Sequence, residues 1–211
     1  MITKILSCQD PSAIELTIQT LNSGGLVAFP TDTVYGLAAP VNNSRSIERL
    51  FDVKGRDFNK AIAVLIAGSD QISSLTSYFN PAASRLVEHF WPGALTVVVA
   101  KNPDLPEILS PLPTIGIRMP DHNFVIALLK QTGPLATTSA NLSGAPNPLT
   151  VQDVLSQLEG RIELVLDGGR TPGGIPSTVV DCTQPDPVIL RQGAISLQEI
   201  QSALNFDKRN F

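Results

Sequence analysis

Residues 29–60 read FPTDTVYGLAAPVNNSRSIERLFDVKGRDFNK, and this stretch sets both the fold class and the chemistry. The apolar run Leu26 to Phe29 is read as a buried strand that breaks at Pro30 into Thr31-Asp32-Thr33. Gly36 then allows a sharp turn or a close approach to a ligand. A helix follows, opened by Ser44, with Ile47, Leu50 and Phe51 on one face, and it ends at Lys54-Gly55-Arg56. Hydroxyls therefore arrive at a strand end and cations at a helix end. If the helix folds back on the strand, the two sets share one mouth, and strand ends are where α/β folds hold ligands. Taken singly, Thr31-Asp32-Thr33 is an ordinary turn or cap, and Lys54 and Arg56 are ordinary solvated charges near a helix C-terminus.

Outward from that stretch, strands and helices alternate. Asp10-Pro11 starts a helix that Gly24-Gly25 stop. Ile2 to Leu6, the continuous apolar run Ala61 to Ala67, Ala94 to Ala100 and Thr114 to Arg118 read as strands. Asp70 to Leu75 is a short helix, and Asn80-Pro81 starts a longer one that ends at Trp91-Pro92-Gly93. Asp121 caps a helix through Leu129, and Leu135 to Thr137 is a short strand. Thr150-x-x-Asp153 and Ser196-x-x-Glu199 are capping boxes. Ile162 to Leu166 is a strand, and DGGRTPGG (Asp167 to Gly174) is a flexible loop. Ser177 to Asp181 and Val188 to Leu190 are joined by too few residues for a helical crossover, so they form an antiparallel pair. The fold class is α/β: a mixed sheet with helices on its faces, in one domain spanning 1–211, with a core from about 14 to 200 and a frayed tail over 205–211.

Composition narrows the function. The 211 residues are 43% hydrophobic and 16% charged, with a net charge of −4. The isoelectric point near 5.1 argues against avid, sequence-independent nucleic-acid binding. Cys8 and Cys182 are the only cysteines, which leaves neither a disulfide framework nor a cysteine zinc site. The N-terminus has no apolar signal segment and no run approaches a membrane span, so a cytoplasmic protein is expected. His89 beside Phe90 reads as structural and His122 as a surface residue, which makes a histidine metal site or a Ser-His triad unattractive. P-loop, dinucleotide and nucleophile-elbow motifs are missing. What remains is a set of polar strand and helix ends: Thr31 to Thr33, Lys54 to Lys60, Thr137 to Asn141 and Ser177-Thr178, with Arg118 and Arg191 as strand-end cations. Hydroxyls and amides orient ligands, while guanidinium and ammonium groups neutralise phosphates and carboxylates. The set suits an anionic ligand such as a nucleotide.

Seven stretches in order, FPTDTVYGL, KGRDFNKAIAVLI, WPGALTVVV, IGIRMPDH, TTSANLSG, PSTVVD and ILRQGAI, resemble the YrdC-like threonylcarbamoyl-AMP synthase family, here in its short, single-domain form. The resemblance implies a twisted sheet with a wide concave cleft. It implies that ATP, L-threonine and bicarbonate become threonylcarbamoyl-adenylate and pyrophosphate, for threonylcarbamoyladenosine formation in tRNA by separate transferase proteins. The family's K-x-R and S-x-N pairs fall on Lys54, Arg56, Ser139 and Asn141, which become the catalytic candidates. By position, Lys54, Arg56, Lys60, Ser139, Asn147 and Arg191 would lie along ATP, with Mg2+ on its phosphates and no dedicated metal ligands on the protein. Thr33 and Ser177 would contact threonine, Arg118 would pair with its carboxylate, and Thr137 would assist. Ala61 stands where the family often has Pro, and Leu65 where some members carry His.

Three rivals are weaker. An RNA-binding module on the same fold needs a basic, aromatic-rich face, and the chain has eight Phe, two Tyr and one Trp against an acidic balance, so at most weak RNA contact is expected. A carbamoyl-adenylate transfer domain of the hydrogenase-maturation kind would bring cysteine motifs that the chain lacks. A regulatory module without catalysis would have no need for both the K-x-R and the S-x-N pairs.

Overall fold

The computed structural model describes residues 1–205. Their elements are β1 (Lys4–Ser7), α1 (Ala13–Asn22), β2 (Val27–Phe29), β3 (Gly36–Pro40), α2 (Ser44–Lys54), β4 (Ala63–Leu65), α3 (Pro81–Phe90), β5 (Leu95–Ala100), β6 (Thr114–Arg118), α4 (Asn123–Thr132), β7 (Leu135–Ser139), α5 (Val151–Leu158), β8 (Leu164–Asp167), β9 (Thr178–Asp181), β10 (Val188–Arg191) and α6 (Leu197–Asn205). All ten strands join one mixed sheet in the order β1-β8-β2-β3-β7-β4-β6-β5-β9-β10. β9 and β10 are antiparallel as expected from their short connection, while β5 and β9 are parallel.

Each face of the sheet has its own core. Ile47, Leu50 and Phe51 of α2, Leu86 of α3, Val154 of α5 and Ile200 of α6 pack on one face, against Val64, Val97, Ile115 and Ile117. Leu21 of α1 and Val125, Leu128 and Leu129 of α4 pack on the other, against Val27, Phe29, Leu65 and Leu164. Each fully buried Leu or Phe contributes about 1.5–3 kcal/mol. Beyond α1 and α4, the second face carries the pocket described below, and the uneven helix cover is what leaves room for it.

The helix ends follow the capping logic of the sequence. Asn43 accepts from the Ser46 amide at 3.1 Å, and Gly55, at φ +55°, closes α2 in the left-handed region that glycine tolerates. Asn80 caps α3 with Pro81 in the first turn, and Thr150 with Asp153 makes a reciprocal capping box. Ser196 and Glu199 exchange bonds in the same way before α6.

Several expectations are corrected. β3 replaces the sharp turn expected at Gly36: Gly36 sits in a strand, opposite Phe29 and Ser139. Its missing side chain serves packing, since a Cβ there would lie 2.9 Å from Thr137 Cγ2. The first helix starts at Ala13, because Asp10 accepts from the amide and hydroxyl of Ser12 and holds a turn ahead of it. The fourth helix is preceded by His122, which makes no side-chain cap, in place of Asp121. The Ala61–Ala67 strand is ladder-paired only over Ala63–Leu65, and the Leu135 strand runs on to Ser139. DGGRTPGG is tied down: the Tyr35 hydroxyl donates to Gly169 O at 2.7 Å, Thr171 N donates to Leu149 O and Gly174 N donates to Thr33 O. Asn205 ends the last helix; the rest of the expected frayed tail, 206–211, lies outside the described residues.

Candidate functional site

Side chains alternate across a strand, so residues two apart share a face. Thr96 and Val98, Gly116 and Arg118, Ala63 and Leu65, and Thr137 and Ser139 form such pairs on four adjacent strands, and all line one pocket of about 280 Å³. Glycine and alanine in the middle of this face keep the floor low; a Cβ on Gly116 would approach Thr96 Cγ2 to 3.0 Å. Thr31, Thr33, Val34, Gly36, Arg56, Asn147, Ser177 and Arg191 complete much of the wall.

Arg118, in the pocket wall, is 7% exposed. Its Nε donates to Gly93 O at 3.0 Å, Nη1 to Thr33 Oγ1 at 3.0 Å and Nη2 to Asp32 Oδ1 at 2.5 Å. Thr33 Oγ1 also lies 3.0 Å from Thr31 Oγ1, and Thr31 donates to Val34 O, so the Thr-Asp-Thr turn is a rigid cradle for the guanidinium. Across the floor, the buried Ser177 hydroxyl lies 2.8 Å from Thr96 Oγ1, and Arg191 donates to Ser177 O at 2.9 Å.

The cations form a graded series. Burial lowers the pKa of Arg56, and Arg191 lowers it further; burial and then Arg118 do the same to Arg191. Burial also lowers Arg118, but Asp32 pulls it back up. Like charges that destabilise one another are relieved by an anion, so this wall has the electrostatics of a phosphate or carboxylate site. Arg56 Nε is buried without a partner, although Nη2 donates to Ala61 O at 2.9 Å.

Lys54 takes a different place from the one expected. Its ammonium, 2% exposed, turns away from the pocket wall and donates to Ser139 O and Asn141 O, with Asn141 Oδ1 at 3.4 Å. Three acceptors match the three donors of an ammonium. Burial, followed by repulsion from Arg56, brings its pKa down to about 7. Asn141 in turn donates to Ala145 O at 2.7 Å. The K-x-R and S-x-N segments therefore do meet, with Lys54 and Asn141 behind the wall and Arg56 and Ser139 in it. Lys60 is exposed and does not line the pocket. His122 is half-buried rather than a surface residue, with Nδ1 buried and unpartnered; burial lowers its pKa while Asp32 and Asp121 raise it. His89 is exposed, its ring edge-on to Phe90 at 4.6 Å.

Sequence reasoning missed Thr96, whose signal was a lone hydroxyl inside the apolar run LTVVVA. It also gave no role to Asp32, which stands between two hydroxyl residues of the opening stretch. Among the described residues, no three His, Cys, Asp or Glu side chains cluster as metal ligands. Nor, among them, is any helix long and apolar enough to cross a membrane.

Residues 19–193 match the Sua5/YciO/YrdC family model, whose description is "Telomere recombination". A Bacillus subtilis protein named "Threonylcarbamoyl-AMP synthase" is 40% identical over 206 residues, covering 96% of this chain and 59% of its own length. A Mycobacterium tuberculosis protein named "Putative threonylcarbamoyl-AMP synthase" is 36% identical and is covered over 97% of its length. Among solved structures, Pyrococcus abyssi Sua5 complexed with L-threonine superposes with a TM-score of 0.92 at 36% identity, over 95% of this chain and 61% of that one. The chain thus spans about three fifths of the Bacillus and Pyrococcus relatives.

Proposed function

The chain belongs to the Sua5/YciO/YrdC family, and from that premise we propose that it is a threonylcarbamoyl-AMP synthase, a nucleotidyltransferase. It joins ATP, L-threonine and bicarbonate into L-threonylcarbamoyladenylate and releases pyrophosphate. The observation that carries the reading is that the pocket offers two kinds of cation: Arg56 and Arg191, which have no carboxylate partner among the described residues, and Arg118, which is paired with Asp32 and held by the Thr33 hydroxyl. The first kind suits a triphosphate and the second an amino acid.

In this reading the threonine amine attacks the bicarbonate carbon and water leaves to give a carbamate, and the carbamate oxygen displaces pyrophosphate from the α-phosphorus of ATP. Arg56, Ser139, Asn147 and Arg191 lie along the nucleotide, and Lys60, exposed and outside the pocket lining, would have to reach in to join them. Lys54 and Asn141 fix the backbone that presents Ser139. Arg118 takes the threonine carboxylate, while Thr33, Thr137 and Ser177 face the rest of the amino acid. Positioning and charge neutralisation supply most of the rate in such transfers, so the lack of an obvious general base is no obstacle. ATP would enter as its Mg2+ complex, the metal offsetting phosphate charge; Asp32, ion-paired with Arg118, is already engaged.

The product passes to separate transferase proteins that act on tRNA. The chain itself needs no RNA: with an isoelectric point near 5.1, tRNA would compete with ATP for the few pocket cations. A reaction in the cytoplasm fits this role. The test mixes the purified protein with Mg-ATP, L-threonine and bicarbonate, without RNA, and follows pyrophosphate and the adenylate. Strict dependence on both threonine and bicarbonate is the expected result. Pyrophosphate release that persists without threonine, or that appears only with tRNA, would overturn the reading.

A further inference from the structure

The cations of the pocket differ in how they are answered. Among the described residues no carboxylate pairs with Arg56 or Arg191, and each has a like charge close enough to lower its pKa, Arg191 and Arg118 respectively. At Arg118 one carboxylate answers the guanidinium, and the pair is largely withdrawn from water, with side-chain exposures of 8% for Arg118 and 14% for Asp32. Asp32 is not itself a wall of the pocket; it reaches a ligand only through Arg118. Arg118 has five N–H donors, and Gly93, Thr33 and Asp32 take three of them, leaving two for a carboxylate.

We propose that Asp32, acting through Arg118, makes the amino-acid end of the pocket selective for a zwitterion over a bare carboxylate anion. The proposal rests on the amino-acid assignment made above. An unanswered buried guanidinium attracts any carboxylate and repels the ammonium that an amino acid carries beside it. Asp32 offsets the unit charge of the guanidinium it pairs with. The short-range bidentate contact to the carboxylate survives, and the longer-range repulsion of the ammonium is cancelled. Asp32 is thus a positioning and charge-setting residue rather than a catalytic one. Arg56 and Arg191, with no carboxylate partner among the described residues, keep their charge for phosphates.

The experiment compares binding of L-threonine and 3-hydroxybutyrate, which is threonine without its amino group, to the wild type and to Asp32→Asn by calorimetry. The amide keeps the shape and one acceptor for Arg118 and removes only the charge. The preference for threonine over 3-hydroxybutyrate should fall by roughly tenfold or more in the variant, as expected for one unit charge felt across a few ångströms of protein, while ATP affinity holds. A merely structural role would weaken both ligands together and leave their ratio unchanged, which would overturn the proposal. If Asp32→Asn does not fold, wild-type binding decides. L-threonine should then exceed both 3-hydroxybutyrate and the cationic L-threoninamide, and equal binding of threonine and 3-hydroxybutyrate would sink the idea. Failure of the wild type to bind threonine at all would remove the amino-acid assignment itself, a result distinct from an unchanged ratio.

Discussion

The hydroxyl of Thr96 on β5 lies 2.8 Å from that of Ser177 at the mouth of β9, and both side chains are buried. Two hydroxyls facing one another inside a pocket orient each other's lone pairs. Thr96→Val keeps the shape and leaves the Ser177 hydroxyl with only the longer bond that it accepts from Arg191 Nη2, at 3.3 Å. Discrimination of threonine over valine should fall by about 0.5–1.5 kcal/mol, the net worth of one hydrogen bond. Adenylate formation with each amino acid measures it; an unchanged ratio would remove Thr96 from the specificity pocket.

Arg56 lies in the wall with a buried, unpartnered Nε. A phosphate oxygen would relieve both that orphaned donor and the repulsion from Arg191. Arg56→Ala should weaken ATP binding by about 1.5–3 kcal/mol, the range for a hydrogen bond to a charged group. Calorimetry that finds the same ATP affinity in both proteins would contradict the assignment.

Lys54 has a folded pKa of about 7, below the ordinary lysine value. Between about 7 and the unfolded value, the unfolded chain binds a proton that the folded chain does not, so stability rises with pH in that window. Below about 7 both states are protonated and the contribution is flat. The stability of the wild type relative to Lys54→Met should therefore climb from pH 7 toward pH 10, by no more than about 1.4 kcal/mol per pH unit. Urea unfolding at several pH values reads this directly; parallel profiles for the two proteins would show that Lys54 keeps its ordinary pKa.

Gly36 and Thr137 occupy neighbouring strands, with room for only one of their two side-chain carbons. Gly36→Ala should cost about 1–3 kcal/mol through overpacking. Removing the opposing methyl with Thr137→Ser should recover part of that loss, a coupling that a double-mutant cycle reads. Strictly additive losses would mean that the strain lies elsewhere.

The sequence was legible where local chemistry decides local structure. Caps such as Asn80-Pro81 and Thr150-x-x-Asp153 stand where the residues point, because their partners lie within one turn. β3 was not legible: Gly, Ala and Pro carry weak strand preference, and only pairing with β2 and β7 makes GLAAP extended. Arg56, Arg118, Ser139, Ser177 and Arg191 could be named as pocket residues because their types and their positions at helix or strand ends were visible. The inward turn of Lys54 was not, since it depends on carbonyls at and just beyond the end of β7, more than eighty residues away. Asp32 was hidden for the same reason, its partner being a guanidinium on β6.

The parallel pairing of β5 with β9 sets Leu95 opposite Thr178. On a ribosome, Thr33, Arg56 and Arg118 emerge well before Ser177 and Arg191. Until β9 is delivered, β5 presents an open edge and the pocket lacks one wall. Pairings this distant along the chain also slow folding. Thr33, Arg56 and Arg118 are thus made before Ser177 and Arg191 close the pocket, and the full site waits for the last strands of the sheet.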